Sequence, residues 1–285
     1  MAPPARIWLL AGPPFSAAQY RPTLKRLGDL RPALPVEAIA VSPLGGSWSE
    51  SAAALVDRIQ ASDVVFAHGL AVPVACAVAT QRSLGGLILS NGPLRRVDPA
   101  TDAVIRLAAV PGVGLLPFLR WPWLAWLRSS VGLRRAVNNP YAMDRDTVAA
   151  VCGELVSSPA GSMALRRWLG SLRTPWPDPA GLPGPLRLLW GDNDRLHPLA
   201  DADEIDAVRG GGGVSIQEGG RFAWPEEMPW ALADAVLFAF DQAHPSATPE
   251  HAGPVAGASD PVATTPESRK GGRRRSAARS QRDEG

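Results

Sequence analysis

Short apolar runs alternate with longer amphipathic or alanine-rich stretches along most of this chain. The runs cover residues 6–10, 36–41, 64–66, 84–90, 185–190 and 214–217, and turn-forming residues separate each run from the next stretch. Runs of this length are typical of strands that are buried on both faces. Strands that alternate with helices at this spacing predict βαβ units. The sequence therefore predicts an α/β fold, a mostly parallel sheet with helices on both faces.

The stretches between the runs predict helices over residues 16–27, 50–60, 201–208 and 226–240, and a buried helix that ends near Gln81. Ser49 is the predicted N-cap of the second helix. Residues 95–182 interrupt the alternation with a helical, loop-rich insertion that holds half of the ten tryptophans. We therefore expect a core domain made of residues 1–94 and 183–243, a helical insertion over 95–182, and a disordered basic tail over 244–285.

Composition narrows the expected partners without identifying one. The formal net charge of the 285-residue chain is only +2, and residues 268–285 hold seven Arg or Lys against two acidic residues. A basic tail can contact nucleic acid or anionic lipid, but a solubilising tail is the preferred interpretation, so no specific nucleic-acid partner is expected. Cys76 and Cys152 lack metal or redox spacing, which favours a reducing, cytoplasmic location and no metal or cofactor. No apolar stretch is long enough for a transmembrane helix, and the N-terminal apolar run is too short for a signal peptide.

The stretch from residue 62 to 79 contains the first candidate for chemistry. A short strand leads into Ala67-His68-Gly69-Leu70-Ala71, and a buried helix follows. Strand, sharp turn and helix are the context of a nucleophile elbow, G-x-S-x-G, whose strained nucleophile costs about 1–3 kcal/mol in backbone energy. Gly69 occupies the nucleophile position, relieves that strain and supplies no nucleophile. A plain strand–glycine–helix connection of another α/β protein is the alternative.

Two later loops extend this pattern. Gly191-Asp192-Asn193-Asp194, followed by Pro198, comes after the fifth predicted strand, and Gly219-Gly220-Arg221-Phe222 comes after the last one. With these motifs in this order, residues 5–243 resemble the α/β-hydrolase superfamily. The resemblance implies that Asp194 is the acid of a catalytic triad, that Arg221 stands where the family usually has the histidine base, and that residues 95–182 form the cap.

The same resemblance implies a loss of serine hydrolysis. Acyl transfer by this family needs an oxygen nucleophile and an imidazole base, whereas Gly69 has no side chain and Arg221 stays protonated. The loop after the first strand, which usually supplies oxyanion-binding N–H groups, reads Gly12-Pro13-Pro14, and proline has none; the N–H of Leu70 remains. The preferred hypothesis is a non-hydrolytic protein that binds a small apolar or carboxylate ligand, or a protein partner. We also expect a salt bridge between Asp194 and Arg221.

The alternative hypothesis is an ester or thioester hydrolase with relocated groups. Ser16, Ser42 and Ser90 follow predicted strands, and Ser16 or Ser42 could act with His197, three residues after Asp194. A surface histidine is the simpler interpretation of His197, and a structural residue behind the turn is the preferred one of His68.

The insertion supplies candidate ligand contacts. Trp121, Trp123 and Trp126 could pack in the core, line a ligand pocket or meet a membrane interface, in that order of preference. With Gly12, Leu70 and Arg221, these three tryptophans form the predicted ligand-binding set. Arg221 would anchor a ligand carboxylate if Asp194 does not occupy it.

Overall fold

Six parallel strands form a single sheet in a computed structural model of the protein, which describes residues 4–110, 114–129, 132–139 and 143–245. The strands are β1 (Ile7–Ala11), β2 (Val36–Ala40), β3 (Val64–His68), β4 (Gly86–Ser90), β5 (Leu186–Gly191) and β6 (Val214–Gln217), in the spatial order β2-β1-β3-β4-β5-β6. The predicted parallel α/β fold is confirmed. Ala11, His68 and Ser90 lie level with one another across the sheet, so the loops after β1, β3 and β4 begin at one edge.

Ten α-helices are found in the described residues. They are α1 (Arg21–Leu30), α2 (Trp48–Val56), α3 (Val72–Gln81), α4 (Pro99–Ala108), α5 (Arg120–Leu127), α6 (Arg145–Cys152), α7 (Pro159–Ser171), α8 (Leu199–Val208), α9 (Trp224–Glu227) and α10 (Pro229–Ala243). The single helix expected over 226–240 is instead two helices, because the residue before a proline, here Met228, is disfavoured in helical conformation. The N-cap of α2 is Ser47 and not Ser49: α2 begins earlier, and the Ser47 hydroxyl accepts from the N–H of Glu50.

The sheet buries side chains on both faces because strand residues alternate in direction. In β1, Ile7 and Leu9 pack with α1 and α10, whereas Trp8 and Leu10 belong to the cluster on the other face, which includes residues of α2, α3 and α8. Strands covered in this way read as continuous apolar runs, which is why the sequence pattern located them.

The insertion packs into the larger of these two clusters. Phe118, Trp123 and Trp168 are buried there, and the indole N–H of Trp168 donates to the hydroxyl of Ser51 in α2 at 3.0 Å. All described residues belong to one compact unit. A separate core and cap therefore stay a prediction.

The residue directly after α10 contacts the rest of the described chain. His244, which the sequence pattern assigns to the tail, contacts the ring of Phe240 and donates from Nε2 to the Ser62 carbonyl at 2.7 Å. The rest of the predicted tail, from residue 246, lies outside the described residues. Within the part of the chain that is described, no helix has the length and apolar character that a membrane span requires.

Candidate functional site

The turn after β3 has the backbone conformation of an elbow, but its central residue, Gly69, has no side chain. Gly69 has φ +59°, in the left-handed region that side-chain-bearing residues rarely adopt. A Cβ placed on Gly69 would lie 2.9 Å from Cζ and 3.2 Å from Cε2 of Phe222. The phenyl ring therefore occupies the space into which a nucleophile at this position would project.

The loop after β1 has few N–H groups to offer a bound oxyanion. Pro13 and Pro14 have none, and the N–H of Phe15 donates to the carbonyl of Gly12 at 3.1 Å. Gly12 itself packs against the backbone of the elbow, since a Cβ there would lie 2.2 Å from the nitrogen of Ala71. Gly12 is thus needed for close approach of two loops.

Asp194, in the loop after β5, is buried and fully hydrogen-bonded. Its Oδ2 accepts from Nδ2 of Asn91 at 2.8 Å and lies 3.3 Å from Nδ1 of His197, and its Oδ1 accepts from the N–H of Leu196 at 2.8 Å. Three donors therefore surround one carboxylate. Such an arrangement fixes the orientation of Asp194.

The expected salt bridge between Asp194 and Arg221 is wrong. Among the described residues no ion pair joins the two, and Nη1 of Arg221 donates to the carbonyl of Val137 at 3.0 Å. The physical reason is that Asn91, Leu196 and His197 already satisfy the carboxylate. His197 takes the place beside the acid that the sequence pattern gives to Arg221.

His197 is buried, with only 5% of the residue exposed, so the interpretation as a surface histidine is also wrong. Because the Asp194 carboxylate accepts, we assign a proton to Nδ1 of His197; in the tautomer protonated there alone, Nε2 presents a lone pair. Nε2 lies 4.0 Å from Oδ2 of Asp98. Both of these atoms are buried, and neither has a hydrogen-bond partner among the residues that the structure describes.

Asp98 was not identified from the sequence. It is the N-cap of α4, where its Oδ1 accepts from the N–H groups of Ala100 and Thr101 at 2.9 and 3.0 Å. The signal was present as an aspartate directly before Pro99, since proline is common at the first helical position. The cap holds one oxygen of Asp98 and leaves Oδ2 facing His197.

Solved structures resemble the overall fold of this chain, although no protein-family model and no curated protein matches the sequence. An esterase from Thermogutta terrifontis superposes with a TM-score of 0.61 at 18% identity, over 86% of this chain and 92% of the esterase. The haloalkane dehalogenase DbeA from Bradyrhizobium elkanii superposes with a TM-score of 0.65 at 17% identity, over 85% and 92%. This chain has the α/β-hydrolase fold. An epoxide hydrolase, CorEH, agrees, with a TM-score of 0.65 at 15% identity over 83% and 91%.

The α/β-hydrolase fold does not by itself assign an activity, because one fold hosts many chemistries. The argument for function must come from the residues at the strand ends. The elbow, the loop of Asp194 and the loop of Arg221 follow one another along the chain after β3, β5 and β6. That Gly69 and Arg221 stand at triad positions stays a prediction.

His68 is a structural residue in this α/β-hydrolase fold. Its ring lies 4.9 Å from that of Phe222 and stacks on that of Phe66 at 6.4 Å. Burial lowers the pKa of His68 to about 3, despite an opposing effect of Asp194, so the imidazole is neutral. A neutral ring packed among aromatic rings agrees with the structural interpretation.

Asn91 organises the floor of the site, although its sequence context indicates only a turn. Besides donating to Asp194, its Oδ1 accepts from the N–H of Gly191 and from the indole of Trp224, both at 2.9 Å. Asn91 has φ +33°, the one positive value among the described non-glycine residues. Strained residues of this kind often occur at functional sites.

The serines that could have been relocated nucleophiles have other roles. Ser16 caps a 3-10 turn by accepting from the N–H of Ala18, and Ser90 accepts from the indole of Trp224 at 3.1 Å. Ser16, Ser42 and Ser90 are all buried, and none lines the pocket beside His197. The structure therefore does not bring Ser16 or Ser42 into the predicted pair with His197.

An open pocket of about 770 Å³, part of it continuous with solvent, lies over Asp98 and His197. Its lining is mostly apolar and includes Leu70, Trp123, Trp126, Leu127, Leu133 and Phe222. Of the residues predicted to bind a ligand, Leu70, Trp123 and Trp126 line this pocket. Gly12, Arg221 and Trp121 do not line this pocket, and Trp121 is 80% exposed.

Proposed function

We propose that this α/β-hydrolase-fold protein does not carry out serine hydrolysis and instead binds a small, mainly apolar ligand in the pocket lined by α4 and α5. The proposal rests mainly on the close packing of the Phe222 ring against Gly69. The elbow keeps its conformation, but the place for a nucleophile is filled by a ring. What remains is a pocket with a mostly apolar lining that is partly open to solvent.

Phe222 is held firmly in this position. Its ring lies 5.8 Å from that of Phe15, 4.9 Å from that of His68 and 5.4 Å from that of His197, and the residue is 4% exposed. Tight packing of this kind makes side-chain displacement costly. Restoring a serine at position 69 should therefore not be enough to restore an acyl-enzyme.

A carboxylate ligand, one of the two classes expected from the sequence, finds weaker support in the described residues. Arg221 donates to the Val137 carbonyl and lies outside the pocket lining. Arg135 does line the pocket, but this residue is exposed. Salt and water weaken an exposed ion pair, so Arg135 would add little affinity for an acid.

The proposal is tested by calorimetric titration of a panel of small apolar compounds into the full chain. Thr101 lines the pocket from α4, and Thr101→Phe should reduce affinity by filling space. Ala103, in the same helix, is exposed and outside the lining, so Ala103→Phe is a matched control that should bind as wild type does. Equal binding by both variants, or no binding by wild type, would contradict the pocket and leave a protein partner as the remaining prediction.

A second candidate, an enzyme with relocated groups, is favoured by one observation. Asp194 and His197 lie within hydrogen-bond reach, and Nε2 of His197 has no partner in the described part of the chain, as in an acid–base pair. A fluorophosphonate probe separates the two candidates. Covalent labelling of a serine would favour the hydrolase, and the labelled peptide would identify the residue.

A further inference from the structure

Two lining residues of the pocket bring hydrogen-bond acceptors close together, and no donor from the described residues lies between them. The acceptors are Nε2 of His197 and Oδ2 of Asp98, 4.0 Å apart, on side chains that are 6% and 5% exposed. A buried polar atom without a partner loses hydration and gains nothing in return. These two acceptors thus favour a group that supplies hydrogen bonds.

The negative charges around His197 also favour a ligand group that donates hydrogen bonds. Asp98 and Asp194 both approach the ring, and no described arginine or lysine forms an ion pair with either carboxylate. The N–H groups of α4 stabilise Oδ1 of Asp98, whereas Oδ2 has no such contact. A buried carboxylate in this situation favours a cation over a neutral donor.

We propose that the pocket binds the ammonium group of an apolar primary or secondary amine, with the nitrogen between Asp98 and His197. Both acceptor atoms are closed off from solvent in this structure, so the nitrogen would enter as the two side chains move apart; at about 2.8 Å from each acceptor it would donate to both. The apolar part of the amine would contact Trp123, Leu127 and Leu133. This inference rests on the proposed ligand-binding function and narrows its ligand class.

The same geometry disfavours a carboxylate between Asp98 and His197. A carboxylate only accepts, so it would meet one acceptor of its own charge and a second lone pair. The indole N–H of Trp123, another lining residue, is also buried without a partner among the described residues. An alcohol can donate one hydrogen bond but cannot neutralise Asp98.

Three probes of one shape separate these possibilities: phenylpropylamine, phenylpropanol and phenylpropionate, each titrated calorimetrically into the full chain at neutral pH. Asp98→Asn removes the charge and keeps an oxygen that can cap α4. Asp102→Asn is the matched control, because Asp102 lies in the first turn of the same helix, outside the pocket lining, and pairs with Arg106. We expect the amine to bind more tightly than the alcohol and the acid, and D98N to lower amine affinity on the order of tenfold or more while D102N changes it little.

Each other outcome has a definite meaning. If the alcohol or the acid binds and the amine does not, the ammonium site is wrong and the ligand-binding function stands. If the amine binds equally well to D98N, the ammonium lies elsewhere and the inference is also wrong. If none of the three probes binds while other compounds of the apolar panel do, the ammonium site fails alone; if nothing binds at all, the proposed function fails with it.

Discussion

The contact between position 69 and Phe222 can be measured as a coupling energy. Gly69→Ala introduces a Cβ at 2.9 Å from the phenyl ring and places a non-glycine residue at φ +59°. Gly219→Ala is a suitable control, because Gly219 has φ +68° and, its chain neighbours aside, no atom of the described residues lies within 4 Å of its added Cβ. The first variant carries strain and a clash, and the second carries strain alone.

The expected changes in the free energy of unfolding are estimated from the backbone strain and from the clash. A left-handed non-glycine residue costs about 1–2 kcal/mol, and overpacking a tight core adds about 1–3 kcal/mol. G69A should therefore lower the free energy of unfolding by about 2–5 kcal/mol and G219A by about 1–2 kcal/mol. Phe222→Leu removes the ring atoms that clash, so in that background G69A should cost only as much as G219A does.

Urea unfolding, followed by tryptophan fluorescence, measures all of these free energies. Wild type, G69A, F222L and the double variant form a double-mutant cycle, and G219A is measured beside it. The coupling between G69A and F222L should be about 1–3 kcal/mol, in the direction that relieves the clash. Additive effects within about 0.5 kcal/mol would refute the claim that Phe222 fills the nucleophile space. So would a G69A variant no less stable than G219A.

Three further predictions concern residues around the site. Asn91→Ala should lower the free energy of unfolding by about 2–4 kcal/mol in urea titrations, because it strands the buried Asp194 carboxylate and the indole of Trp224. Arg221→Gln should change the affinity of pocket ligands, acids included, less than about twofold in calorimetric titrations, since Arg221 does not line the pocket; a tenfold loss for acids would restore it as their anchor. Burial raises the pKa of Glu226 from 4.5 to about 7, so the folded state holds the proton more tightly than the unfolded state. The free energy of unfolding should fall by up to about 3 kcal/mol as the pH rises through the interval between these two values in wild type, and much less in Glu226→Gln, as urea titrations across that pH range would show.

Much of the fold could be predicted from the sequence because its strands are buried on both faces. Such strands appear as unbroken apolar runs, and β3 and β4 are two of them. The split between α9 and α10 was missed, although Pro229 was visible, because the apolar pattern continues across Met228. The prediction followed the apolar periodicity and overlooked the helix break that Pro229 imposes at Met228.

The site was harder to predict because its contacts join distant parts of the chain. Asp194 was identified from its loop, but its partners depend on Asn91, which lies 103 residues earlier. The sequence pattern predicts a guanidinium beside the acid, whereas the imidazole of His197 lies close enough to replace it. Asp98 shows the same limit: a helix cap can be predicted locally, but its second oxygen meets His197 only in the fold.

Fluorophosphonate labelling of the purified full chain tests the central claim most directly. Wild-type protein should remain unlabelled beside an active serine esterase, because Gly69 supplies no oxygen and Ser16, Ser42 and Ser90 do not line the pocket beside His197. Labelling that maps to Ser16, Ser42 or any other serine would show that the protein has a competent nucleophile. That result would contradict the claim that this protein lacks serine-hydrolase chemistry.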